Sequence, residues 1–169
     1  MDLDQNYSWP QSKILEITLR YFTLVVMAAT LSSPALHAEE IEFESSEVWI
    51  HTNKGPVHFF VQLAVTPQQR RHGLMFRSDM PSDMGMLFDF GQEIQLAMWM
   101  KNTFIPLDML FVDKQGRIHK IARNTVPLSL KAIPSVSPTF AVLELNAGIT
   151  RKLEIEVGNL IAHKIFDKD

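Results

Sequence analysis

Short stretches of alternating hydrophobic and polar residues, separated by turn residues, recur along most of the chain. Every second residue from Val57 to Leu63 is hydrophobic, and this period of two is typical of a β-strand with one buried face. The preceding segment HTNKGP contains Asn53, Gly55 and Pro56, which are residues that favour turns. We therefore predict a β-hairpin formed by VWI and VHFFVQLAV.

Five further segments have the pattern of strands: GMLFDF, IQLAMWM, LDMLFVD, RIHKIA and TFAVLELN. Gly91 is expected to end the first of them. The stretches LAMWM and LDMLFV are apolar on both faces, which is typical of central strands covered on two sides. The stretch MWMKNTFIPLDMLF (residues 98–111) is interpreted as a two-strand hairpin with Asn102 at its bend. A short closing strand is expected after Gly158.

Helical signals are few and short. Residues 66–69 (TPQQ) form the pattern of a capping box with proline at the first helical position, so a short helix is predicted through QQRRH. It ends at Gly73 or continues to Arg77, in which case Arg70 and Arg77 share one face. A second helical turn is predicted within AGITRKL. Together these elements predict a mainly β fold, a compact sandwich or barrel-like single domain with one or two short helices.

Composition narrows the possible functions. The 169 residues are 46% hydrophobic and 21% charged, which is typical of a globular domain. A net charge of −3 without a long basic run argues against nucleic acid as the partner. The chain has no cysteine, which excludes disulfides, thiolate nucleophiles and Cys-ligated metal sites. None of the six histidines forms an HxH or HxxxH pair, so neither a metal site nor a cofactor is expected.

The first 38 residues have the pattern of an export signal. An uncharged, mostly apolar run at 21–31 follows Lys13 and Arg20, and cleavage is expected near Ala38. The alternative is an uncleaved N-terminal anchor, but this run is shorter than the roughly 20 residues that span a bilayer. We expect a periplasmic or otherwise exported protein with an acidic lead-in and first strand at 39–52 and a β domain at 53–169. Contact with a membrane is expected only through an uncleaved leader.

Three charged residues each end an otherwise apolar strand face: Lys101, Asp108 and Glu144. We hypothesise that they gather at one end of the sheet. Asp108 and Glu144 would then act as an acid/base pair, as in a hydrolase, or bind a ligand without chemistry. The structural alternative is a buried ion pair of Lys101 with one of the two carboxylates, which would fix the strand register.

Neighbouring residues extend these possibilities. Asn102 is interpreted as a turn residue, with ligand contact as the alternative. Trp99 either belongs to the core, which we favour, or forms a pocket wall. Arg70 and Arg77 either bind an anion or pair with nearby aspartates. The many methionines are interpreted as core residues rather than ligands of a soft metal ion.

The chain closely resembles a protein family known as domain-of-unknown-function family 192, or UPF0127. The resemblance covers residues 57–165 and is carried by RRHGLMFR, DMGMLFDF, MWMKNTFIPLDMLFVDKQGRI, LELNAG and IEVGN. It implies a mainly β fold and, often, export, whereas the activity of the family is not established. By resemblance the signature positions are Arg70, Gly73, Leu74, Met75, Arg77, Gly85, Met86, Trp99, Met100, Lys101, Asn102, Thr103, Pro106, Leu107, Asp108, Glu144, Leu145, Gly148 and Gly158.

We therefore expect an exported β domain that binds a small polar ligand or an envelope partner. The predicted ligand-binding residues are Lys101, Asn102, Asp108, Glu144, Trp99, Arg70 and Arg77. The first alternative is a hydrolase-like enzyme that uses Asp108 and Glu144, although the chain contains no recognised catalytic motif. The second alternative is a purely structural envelope module.

Overall fold

The computed structural model describes residues 41–167, so the leader expected at residues 1–38 lies outside the described residues. Nine strands and two short helices follow one another in this part of the chain. In order they are β1 (Glu44–Thr52), β2 (Gly55–Ala64), α1 (Pro67–His72), β3 (Met84–Ile94), β4 (Ala97–Met98), β5 (Leu107–Val112), β6 (Ile118–Ala122), β7 (Ile133–Pro134), β8 (Thr139–Asn146), α2 (Ile149–Lys152) and β9 (Leu160–Ala162).

Seven strands form one curled sheet in the order β6-β5-β8-β3-β2-β1-β9, and β4 pairs with β7 separately. All neighbours in the large sheet are antiparallel except β2 and β3, which are parallel. The two edges approach each other where Arg117 forms a bridge with Leu160, and the sheet makes a half-barrel. The prediction of a mainly β, barrel-like domain with two short helices is confirmed.

The two faces of the sheet carry separate hydrophobic cores. The inner face is mostly aliphatic and includes Ile50, Leu110 and Leu143. The outer face carries a cluster rich in methionine and phenylalanine, including Met86, Met109 and Phe88. Because adjacent residues of a strand point to opposite faces, β3, β5 and β8 supply apolar side chains to both cores. This confirms that LDMLFV is a central strand.

Three chain segments cover the outer face: residues 66–78, which contain α1, residues 96–106, and residues 123–138. We call them the covering segments. Hydrogen bonds tie them together, since Phe76 N–H donates to Asn102 O at 2.8 Å and Leu128 N–H donates to Thr103 O at 3.0 Å. The predicted capping box is present at the start of α1, where the Thr66 side chain accepts from the backbone N–H of Gln69.

Two predicted strand boundaries are wrong. Strand β3 does not end at Gly91; it continues to Ile94 through an irregularity in which Gly91 adopts a φ of 70°. The stretch 98–111 is not a hairpin, because β4 ends at Met98 and pairs with β7 rather than with β5. The apolar residues between Trp99 and Pro106 pack on the outer core as part of a covering segment. A covering segment and a sheet strand can have the same apolar pattern, so the sequence does not distinguish them. Among residues 41–167, no helix has the length and apolar character needed to cross a membrane.

Candidate functional site

A cavity of about 240 Å³ lies on the outer face of the sheet, between α1 and the covering segment 96–106. Its walls combine cationic, aromatic and apolar side chains with one carboxyl group. The lining residues are Arg70, Arg71, His72, Gly73, Leu74, Met75, Phe88, Phe90, Ala97, Met98, Trp99, Lys101, Thr103 and Glu144. Eight of them are among the signature positions implied by the family resemblance.

Glu144 is the only acidic residue among the lining residues that the structure describes. It lies in β8 directly opposite Met86 of β3 and Met109 of β5, so its side chain belongs to the outer face. The residue is only 4% exposed, and its carboxyl group makes no hydrogen bond or ion pair with any residue between 41 and 167. Burial raises the pKa of Glu144 to about 8, because removal from water disfavours the charged form. At neutral pH this group is therefore largely the protonated acid, which carries an O–H donor.

Asp108 is placed elsewhere. It lies opposite Leu145, one position out of phase with Glu144, and so it points to the inner face. It is fully buried and accepts four hydrogen bonds, from the backbone N–H groups of Asn124, Gly148 and Thr150 and from the Thr150 hydroxyl. The hypothesis that Asp108 and Glu144 gather in one site is wrong, because register places them on opposite sides of the sheet.

Lys101 and Trp99 form one side of the mouth of the cavity. Both are exposed, and the Lys101 ammonium lies 5.4 Å from the centre of the Trp99 ring, within the range of a cation–π contact. Lys101 forms no ion pair within the described part of the chain, so the ion pair with Asp108 or Glu144 is not found there. The interpretation of Trp99 as a core residue is wrong, since 48% of the residue is exposed.

Asn102 supports the mouth rather than lining the 240 Å³ cavity. Its backbone is left-handed with a φ of 54°, as a turn residue permits, and its amide donates weakly to Met75 Sδ at 3.8 Å. Asn102 does line a second compartment of about 390 Å³ beside the first. The two compartments share a wall formed by Arg71, His72, Met75, Trp99 and Lys101.

The two predicted arginines have different environments. Arg70 lines the cavity, but its guanidinium donates to the carbonyl oxygens of Val65 and Asp89 and stacks on Phe90 at 5.3 Å. Arg77 donates to the Gln62 side chain and does not line the cavity, and burial lowers its pKa. Because α1 ends at His72, the two arginines do not share a helix face. Neither forms an ion pair with an aspartate in the described residues.

Sequence reasoning omitted Arg71 and His72 from the site, although both line the two compartments. One signal could have found them. The three covering segments contain Arg70, Arg71, Arg77, Lys101, Arg123 and Lys131 but no aspartate or glutamate. A chain of net charge −3 thus concentrates positive charge in the segments that cover one sheet face.

The family assignment rests on a match to residues 48–163 by the family described as DUF192, Uncharacterized ACR. The chain belongs to the DUF192 family. A solved structure from Sinorhizobium meliloti 1021, named as a candidate transcription regulator, is 44% identical, with a TM-score of 0.71 over 73% of this chain and 96% of that one. A protein of unknown function from Novosphingobium aromaticivorans DSM 12444 is 34% identical, with a TM-score of 0.71 over 80% of this chain and 96% of that one. No curated protein matches this DUF192 chain.

Proposed function

We propose that this DUF192 protein binds a small organic anion, a carboxylate or a phosphate ester, in the cavity above Glu144. The observation that carries the proposal is the composition of the cavity. Its mouth holds Arg71 and Lys101, its walls are aromatic, and its only acid is the buried Glu144. The protein would act as a binding protein rather than as an enzyme.

Each part of the cavity has a role toward such a ligand. Lys101 and Arg71 supply positive charge at an exposed mouth, where they attract an anion and form charge-assisted hydrogen bonds with it. The protonated Glu144 donates an O–H to an anionic oxygen, which a carboxylate could not do. Phe88, Phe90 and Trp99 offer apolar surface to the rest of the ligand.

A cationic ligand fits less well. It would pair with an ionised Glu144, but it would have to pass Arg71 and Lys101 without any other carboxylate in the lining to compensate. A paired-carboxylate hydrolase is also not favoured, because the four hydrogen bonds to Asp108 occupy that group on the inner face. Asp108 is therefore not part of the proposed binding site.

We also propose that the site faces the periplasm, which rests on the signal-like pattern of residues 1–38. Cell fractionation with N-terminal sequencing of the purified protein tests this part separately. A new N-terminus near residue 39 in the periplasmic fraction is the expected result. An intact N-terminus in the cytoplasm would contradict export and leave the binding proposal unaffected.

Binding is tested by calorimetric titration of the protein with benzoate, phenyl phosphate and, as the opposite charge, benzylamine. We expect the two anions to bind and benzylamine not to. The change Arg71→Gln with Lys101→Gln should weaken anion binding at least about tenfold, since each charge-assisted hydrogen bond contributes roughly 1.5–3 kcal/mol. The matched control is Lys114→Gln, which removes a cation outside the cavity lining. This variant should bind the two anions as the wild type does.

The role of the Glu144 proton is tested by pH. If only the protonated form binds, the Kd for benzoate should rise about tenfold per pH unit above pH 8 in the wild-type protein. Glu144→Gln retains an N–H donor and cannot ionise, so its Kd should lack this pH dependence. Tighter binding of benzylamine than of benzoate, or anion binding that is insensitive to the double change at Arg71 and Lys101, would overturn the proposal.

A further inference from the structure

Large apolar side chains are exposed on all three covering segments. Five of them, Phe76, Phe104, Val126, Leu128 and Leu130, are each between 49% and 70% exposed, and we call these five the apolar rim; Trp99 and Val136 are exposed on the same segments. Their segments are contiguous. The Phe76 and Phe104 rings lie 6.3 Å apart, and Leu128 N–H donates to the carbonyl oxygen of Thr103, next to Phe104. Water-exposed apolar side chains that are grouped in this way are typical of an interaction surface.

The backbone holds two of these side chains in an unfavourable conformation. Phe76 has a φ of 65° and Leu128 a φ of 62°, in the left-handed region that bulky residues rarely adopt. Both are held by hydrogen bonds from their N–H groups to the segment 101–104. Strain of this kind in exposed residues points to a role for their position rather than to packing.

The charged residues within the three covering segments are all cations, and the exposed Asp79 directly follows the first of them. Of the six cations in the covering segments, Arg70, Arg77 and Arg123 donate to carbonyl or side-chain oxygen atoms of the protein. Arg71, Lys101 and Lys131 have no ion pair among the described residues. Three available cations beside five apolar side chains do not resemble a nucleic-acid surface, which neutralises many phosphates.

We propose that the apolar rim docks this protein onto a bilayer that contains anionic lipid. Apolar side chains that project from loops enter the boundary between headgroups and acyl chains, while neighbouring Lys and Arg contact anionic headgroups. The covering segments contain cations but no carboxylate, which complements an anionic surface. Against a partner surface with few acidic groups, the same cations would be left without a counter-charge. A bilayer is favoured over a protein groove because the rim is spread over three loops, and a fluid surface needs no matching cavity. The surface shares Arg71 and Lys101 with the proposed anion site, but the inference rests on the apolar rim and its test does not require anion binding in the cavity.

The lack of cysteine makes the test specific, since one introduced cysteine is the only thiol in the full chain. We would replace Leu130 with cysteine and attach an environment-sensitive fluorophore. In the matched control, the exposed Asn53 is replaced with cysteine and labelled. Position 53 lies in the turn before β2, and the length of β2, about 30 Å, separates this turn from the end of the strand that leads into α1. Both proteins contain the same leader, so insertion of the leader alone cannot distinguish them.

With vesicles of phosphatidylcholine and phosphatidylglycerol, we expect a blue shift and increased intensity for the label at position 130 and none at position 53. Pure phosphatidylcholine should give a smaller response. Leu128→Asn keeps a residue that tolerates the left-handed backbone and removes the apolar side chain, so it should reduce the response severalfold. Circular dichroism checks that each variant is folded. An equal response at both positions, equal responses to both vesicle types, or a response to duplex DNA but not to vesicles would overturn the proposal.

Discussion

Asp108 and Glu144 carry two buried carboxyl groups on neighbouring strands, yet the environments of these groups are opposite. Asp108 points to the inner face and accepts four hydrogen bonds, the shortest from the Thr150 hydroxyl at 2.6 Å. Glu144 points to the outer face, accepts none from the described residues, and borders a cavity. The first carboxylate is held by the protein, and the second is available to something else.

The difference follows from what covers each face. On the inner side, Asn124, at the very start of the segment 123–138, and the start of α2 direct three backbone N–H groups at Asp108. On the outer side, backbone N–H groups of the covering segments donate to backbone carbonyl oxygens, such as those of Asn102, Thr103 and Leu107, and no donor among residues 41–167 reaches Glu144. A buried carboxyl group without donors responds by keeping its proton. Burial alone therefore does not single out a candidate functional acid. The supply of donors is what distinguishes Glu144 from Asp108 in this sheet.

The largest expected effect is the loss of stability on removing the Asp108 charge. Asp108→Asn places an NH₂ group among four donors and leaves at least one of them unpaired, so the free energy of unfolding should fall by about 3–5 kcal/mol. Urea unfolding followed by far-UV circular dichroism at pH 7 measures it. Asp83→Asn, at an exposed position, is the control and should change stability by less than about 0.5 kcal/mol. A loss below about 1 kcal/mol for Asp108→Asn would show that these hydrogen bonds do not hold the inner face together.

The next largest expected effect is on the pH dependence of stability, and here the ionised carboxylate destabilises the fold, whereas the charge of Asp108 stabilises it. The folded protein keeps the Glu144 proton up to about pH 8, whereas the unfolded chain releases it near pH 4.5, so stability from this group falls as pH rises between these values. Relative to Glu144→Gln, the wild type should lose about 2.5 kcal/mol between pH 5.5 and 7.5. Urea unfolding of both proteins at several pH values isolates this term from the histidines. Parallel pH profiles for the two proteins would mean that Glu144 is ionised and partnered in the folded state.

Much of the fold could be predicted from the sequence because it depends on local patterns. The period of two in residues 57–63, the capping box at 66–69 and the two-sided apolar strand LDMLFV each reflect interactions within a few residues. The stretch 98–106 misled prediction because an apolar covering segment and an apolar strand have the same composition. Only the identity of its neighbour, β7 instead of β5, distinguishes them.

The site was less predictable because it depends on register between strands. Alternation within LDMLFV, and within TFAVLELN from Ala141 onward, correctly predicts which residues share a face. Phe140 is the exception, since it packs in the inner core rather than with Val142. Alternation does not determine that Leu145, rather than Glu144, lies opposite Asp108, and a shift of one residue exchanges the faces. Charge segregation was readable without register, since the covering segments lack acids. That signal points to Arg71, which motif-based reasoning omitted.

A smaller loss of unfolding free energy is expected from replacing one buried threonine on each side of the sheet. Thr150→Val removes a hydroxyl that donates to Asp108 and accepts from Arg123, and it should cost about 1–2 kcal/mol of unfolding free energy. Thr103→Val removes a buried hydroxyl at the outer cavity that donates to the Lys101 carbonyl at 3.2 Å, and it should cost less. Thermal and urea unfolding of the two isosteric variants provide the comparison. An equal or larger loss for Thr103→Val would contradict the view that the inner face has the more important polar network.

The smallest expected effect on stability belongs to the mouth of the cavity. Lys101→Gln removes an exposed charge whose only close aromatic contact is Trp99, so the free energy of unfolding should change by less than about 0.5 kcal/mol. The same change should lower the affinity for benzoate severalfold, because Lys101 borders both compartments. Urea unfolding and calorimetric titration on one sample measure both quantities. Lys101 would then show the reverse of Asp108, with a measurable effect on ligand binding and little effect on the free energy of unfolding. A Lys101→Gln protein that is destabilised by several kcal/mol would instead place this lysine in the structural class of Asp108.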